Sequence, residues 1–81
     1  METTLNKLPI NKVGIIKKVN SKPEIKRRLL DLGMVENTII KPVYKSPLKD
    51  PTAYLVRGSI IALRNEDSKK IYIKNYGDID D

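Results

Sequence analysis

Apolar positions along the chain fall into short runs whose period changes, from strand-like alternation to one helical stripe and back. Val13-Gly14-Ile15-Ile16-Lys17-Lys18-Val19 is dense in β-branched residues and predicts a first strand, preceded by a short turn around Leu5 and Leu8. Ser21-Lys22-Pro23-Glu24 then has the spacing of a capping box, in which serine accepts from a first-turn amide, proline is tolerated and glutamate reaches back. A helix is expected to start there. With about 100° of rotation per residue, Ile25, Leu29 and Leu32 share one stripe, Leu30 lies off it, and Gly33 stands where a left-handed stop is wanted.

Glu36-Asn37 reads as a turn in which asparagine takes positive φ, leading into a second strand over residues 38–45. Pro42 has no N–H for a ladder, which assigns it to an edge or a bulge. Residues 46–51, with prolines at 47 and 51, form an exposed loop. Residues 53–57 and 59–63 flank Gly58-Ser59, a hairpin signal, and Asn65-Glu66-Asp67-Ser68 reads as a capped single helical turn with its acids well placed for the dipole. Residues 70–74 give the cleanest alternation and a last strand. Five short strands around one helix predict a mainly β fold, a small closed or partly open barrel, because closure removes edges that invite aggregation.

The length of 81 residues allows one domain, spanning 1–81, with a single core. Isoleucine, leucine and valine number 11, 8 and 5, enough to build it, and the scattered prolines and glycines mark no linker. With no cysteine and no histidine, neither disulfides nor the common zinc sites can hold the fold, so packing must. No apolar run reaches the ~18 residues of a membrane span, and the N-terminus lacks the charged and apolar regions of a signal peptide. A cytoplasmic location is the expectation.

Net charge is +6, and its surplus is N-terminal: residues 1–45 hold ten Lys/Arg against four Asp/Glu, while residues 46–81 hold six of each. Such a surface attracts nucleic acid, acidic protein or anionic headgroups, or simply keeps a small protein soluble. Catalysis lacks support, since there is no histidine or cysteine, no base at a recognisable spacing from the serines, and no phosphate-binding glycine pattern. No cofactor is implied. A metal site would need oxygen ligands, and the dense carboxylates are Asp78, Asp80 and Asp81, a tail more naturally solvated than ligating. No metal ligand is assigned.

On the helix, Glu24 and Arg28 are four apart in the favourable order and Arg27 and Asp31 four apart in the weaker one, so both arginines can be neutralised locally at about 0.2–0.5 kcal/mol per pair. They stay available to a stronger partner. Asp31 in the last turn opposes the macrodipole. A membrane-surface helix is disfavoured by two acids within some eleven residues, so no direct membrane insertion is expected.

Taken together, Leu8-Pro9, Arg27-Arg28-Leu29-Leu30-Asp31-Leu32-Gly33-Met34, Ser46-Pro47, Asp50-Pro51, Arg57-Gly58, Ile61-Ala62-Leu63-Arg64 and Ile71-Tyr72-Ile73 resemble the FeoA family over nearly the whole chain. That family is the small cytoplasmic component of bacterial ferrous iron uptake, and related domains close iron-dependent repressors. Asn11 and Asn37 stand where its members usually carry glycine, and asparagine is the next-best residue for positive φ. The resemblance implies a five-stranded SH3-like barrel with a helix after the first strand. It also implies an adaptor or regulator acting at the cytosolic G-domain region of a FeoB-type membrane transporter.

The expected docking surface combines the helix with the loop of residues 47–51, through Arg27, Arg28, Leu30, Asp31, Met34 and Leu48. Leu30 and Leu48 are apolar residues without a clear core assignment, and satellite packing between helix and loop is the competing explanation for them. Two other classes are alternatives: a nucleic-acid-binding barrel using the N-terminal lysines, disfavoured as a reading because aromatics are sparse, and a carboxylate-based metal-ion sensor. A homodimer through edge strands also stays open.

Overall fold

A computed structural model describes residues 2–76. The chain runs through β1 (Glu2–Thr4), a single 3-10 turn (Leu5–Lys7), β2 (Gly14–Val19), α1 (Pro23–Asp31), β3 (Ile39–Lys45), β4 (Thr52–Val56), β5 (Ser59–Leu63), α2 (Asn65–Ser68) and β6 (Ile71–Asn75). The strands form one antiparallel sheet in the order β1-β6-β2-β3-β4-β5. Register shifts between Ile16 and Lys18 and between Pro42 and Tyr44 bend it. The concave face then wraps Ile16, Val19, Ile40, Val56, Leu63, Ile71 and Ile73, and Leu5, Leu8, Leu29 and Met34 close the core from outside the long strands. This is the expected mainly β, SH3-like arrangement with its helix after the first long strand. It has six strands rather than five, because Glu2–Thr4 pairs with β6, and the sheet does not close between β1 and β5.

Pro42 sits at the β3–β4 bulge in an interior strand, so the bulge and not the edge accommodates its missing N–H. Its carbonyl accepts from Asn11 N–H at 2.7 Å, and Asn11 and Asn37 both take positive φ, 69° and 70°. Asparagine thus fills the two turn positions as expected. In the β4–β5 hairpin the turn residues are Arg57 (φ 52°) and Gly58 (φ 83°), with Val56 paired to Ser59. The turn therefore lies one residue earlier than the Gly58-Ser59 signal suggests, in a type I′ geometry whose twist suits the strands.

Helix starts differ most from expectation. Lys22 is the N-cap of α1 and makes no side-chain cap, which leaves Ser21 one position too early and its Oγ buried without a partner. The capping box does not form, because Glu24 falls at the second helical position instead of the third. Pro23 in the first turn does its expected work. α2 likewise takes no cap from its own N-cap side chain, Arg64. Instead Asp50 Oδ1 accepts the Asn65 N–H at 2.8 Å, tying the β3–β4 loop to α2.

The end of α1 is a full left-handed stop. Gly33 has φ 98°, its N–H donates to Leu30 O at 3.0 Å, and Met34 N–H donates to Leu29 O at 3.0 Å. Met34 and Leu29, both wholly buried, make the apolar contact that accompanies this motif. Leu32, expected on the core stripe, is consequently 42 % exposed: the turn swings Met34 into the place that a continuing helix would have given Leu32.

Candidate partner-docking surface

On α1, Leu29 faces the core, and successive residues step around the helix from it. Ile25 and Arg28 fall to one side, Lys26 and Leu30 to the other, and Arg27 and Asp31 on the solvent crest. Two clefts follow this division. One, of about 440 Å³, lies between α1 and α2 and is lined by Lys22, Ile25, Arg28, Glu66, Asp67, Lys69 and Lys70. The other, of about 220 Å³, lies between α1 and β2 and is lined by Lys17, Lys18, Lys26, Leu30 and Glu36 over a floor of Ile16, Val19 and Met34. Each holds more cations than carboxylates. The helix is a ridge between two positive grooves, suited to an acidic partner.

Arg27, Arg28, Leu30 and Asp31 are exposed on this ridge. The ion pairs expected between them are absent: among the described residues neither Glu24 with Arg28 nor Arg27 with Asp31 closes to salt-bridge distance. Exposed pairs gain too little to hold two long side chains still. Met34 must be removed from the expected surface, because its side chain is wholly buried beneath the smaller cleft. Leu48 is 88 % exposed in the β3–β4 loop but lines neither cleft, so the structure does not join it to Leu30 in one hot spot.

Sequence reasoning missed Lys69 and Lys70, which follow α2, whereas Lys17 and Lys18 belong to the N-terminal lysines it singled out for nucleic acid and here wall the smaller cleft. They are distant in sequence and meet only through the fold. Gly33 adds another link, since a Cβ there would lie 3.1 Å from Arg57 Cδ: the β4–β5 turn packs against the end of α1. No group of three or more His, Cys, Asp or Glu able to hold a metal occurs among the described residues, and Asp78, Asp80 and Asp81 lie outside them. No helix is long and apolar enough to cross a membrane.

The described residues thus form a six-stranded, SH3-like sheet carrying one helical ridge between two cation-lined clefts. The FeoA domain family matches residues 3–75, and the chain belongs to that family. A Porphyromonas gingivalis Fe(2+) transport protein A/Fe(2+) transporter FeoB fusion protein is 30 % identical over 70 residues, 86 % of this chain but only 8 % of that protein. The chain thus spans a small fraction of that relative. A Campylobacter jejuni protein named as a candidate Fe(2+) transport protein A is 34 % identical over 71 residues, covering 86 % of this chain and 95 % of the relative. Stenotrophomonas maltophilia FeoA, described as an SH3 domain protein and solved with zinc, superposes with a TM-score of 0.79 at 28 % identity over 89 % of each chain.

Proposed function

We propose that this chain is a non-enzymatic accessory protein of ferrous iron uptake that works on the cytosolic side of the membrane. It docks through the α1 ridge onto the G-domain-bearing region of a FeoB-type transporter. The observation that carries this reading is the fusion in Porphyromonas gingivalis, where a domain similar to nearly all of this chain shares one polypeptide with the transporter. Covalent linkage raises the effective concentration of two partners without any new contact, and it helps only where they must meet. The ridge supplies the chemistry such a contact needs: an exposed Leu30 as apolar anchor, with Arg27 and Arg28 to steer an acidic surface.

A pull-down with the transporter's purified cytosolic region tests it. Wild-type protein should be retained, and the Arg28→Glu, Leu30→Asp double variant should be lost while keeping a native circular dichroism spectrum, since both positions are exposed. Full retention of the folded double variant would overturn the docking surface. Failure of the wild type to bind would overturn the partner.

A further inference from the structure

At one end of the sheet, β5 is hydrogen-bonded to β4 alone. The two-residue turn makes Val56 and Ser59 its closing pair, and closing pairs exchange both of their backbone hydrogen bonds. Alternation then gives Tyr54 with Ile61 and Thr52 with Leu63 as the other bonded pairs. Ile60 and Ala62 aim their N–H and C=O groups away from β4, at an edge that no other strand among the described residues occupies. Natural edges are blunted by lysine, proline, a bulge or shortness. The opposite edge, β1, is three residues long; β5, Ser-Ile-Ile-Ala-Leu, has none of these protections, and its pairing with β4 runs without a register shift.

The side chains of the same two residues belong to the convex face. Ile60 lies opposite Leu55, which lies opposite Lys41; Ala62 lies opposite Ala53, which lies opposite Tyr44. Ile60 is 61 % exposed and Ile39, on the same face of β3, 53 %. An apolar shelf therefore runs up to a strand edge whose backbone donors and acceptors face no other strand among the described residues. β3, β4 and β5 contain no aspartate or glutamate, β3 contributes Lys41 to the shelf face, and Arg64 follows β5, while the Arg57 side chain turns back toward Gly33.

That charge decides between occupants. A second copy would bring +6 against +6 for the whole chains, with no carboxylate in β3, β4 or β5 to offset it. We propose that β5 is a strand-addition site for an extended segment of another protein, apolar at alternate positions and flanked by carboxylates. Its backbone pairs with Ile60 and Ala62, its apolar residues lie on the shelf with Ile60 and Leu55, and its acids meet Arg64 and the positive balance of this face. This site is distinct from the α1 ridge and does not depend on the identity of the transporter.

The probe is acetyl-DVTVTVD-amide, titrated into the isotope-labelled full chain and followed by NMR and amide hydrogen exchange. It should slow exchange at the Ile60 and Ala62 amides. A lysine-ended peptide, acetyl-KVTVTVK-amide, should bind at least about ten-fold more weakly, and a peptide with proline at its centre should not bind. Ala62→Pro should abolish binding while leaving the β4 ladder intact, because the lost N–H points outward; Ile60→Lys should weaken binding and keeps every backbone donor if the proline variant fails to fold. No protection at Ile60 and Ala62 by the acidic peptide, or equal binding of the lysine peptide, would overturn the proposal. So would protection of those amides without peptide in a protein that sediments as a dimer, which would make a second copy the occupant.

Discussion

Asp50 shows how one residue outside an element can set its start. Its carboxylate, 15 positions away, caps the first turn of α2, which the Arg64 side chain at the N-cap does not. Asp50→Ala should cost about 0.5–2 kcal/mol in urea unfolding, and Asp50→Asn distinctly less. Tyr54 is the other telling residue. Burial pushes its phenol upward, partly offset by hydrogen bonds with Ser68 and Thr52, with the Asp50 charge adding to the rise. The folded state thus holds this proton more tightly than the unfolded chain, so the associated stability is full below the ordinary value of 10.0 and is lost as pH rises through the raised one. Urea midpoints measured from about pH 8 to pH 11.5 should fall at the alkaline end, and Tyr54→Phe should flatten that fall. Asn11, Asn37 and Gly33 were legible as turn residues because positive φ is a demand on one residue alone. Met34 was not, since its burial depends on where the turn before it sends the chain.

α1 divides what a sequence can announce about an element from what it cannot. Its start at Pro23 and its stop at Gly33 follow from local backbone chemistry, and its inward face follows from Leu29. The cap fails because the helix begins one residue later than Ser21 requires, a difference no periodicity resolves. The stop should be sensitive to substitution: Gly33→Ala places a Cβ on a residue at φ 98° and 3.1 Å from Arg57 Cδ, and should destabilise by about 1–2 kcal/mol in thermal unfolding. Met34→Ala, which empties the apolar end of the same motif, should cost more, about 2–5 kcal/mol, despite lying outside the helix. A loss at Met34 smaller than that at Gly33 would contradict the role given to it.

Across the whole molecule, the β4–β5 hairpin followed from its turn, whereas the pairing of β2 with β6 joins segments far apart in sequence, and β1 was not legible because three polar residues carry no strand pattern and pair where β6 offers an edge. The candidate site was half legible. Arg27, Arg28, Leu30 and Asp31 stand out as exposed in sequence and in structure, but the clefts beside them need lysines from β2 and from beyond α2. Leu48 was grouped with Leu30 on chemistry alone, and their separation is a matter of three-dimensional path. Docking through the two positive clefts, as proposed, would be electrostatic, so raising salt from about 50 to 300 mM should weaken partner binding several-fold, chiefly through the association rate. The most direct test is to titrate the isotope-labelled chain with the transporter's cytosolic region and map the perturbed amides. Perturbation centred on residues 26–31, reduced by Arg28→Glu, is the predicted result; an unperturbed spectrum at saturating concentrations of that region would contradict it.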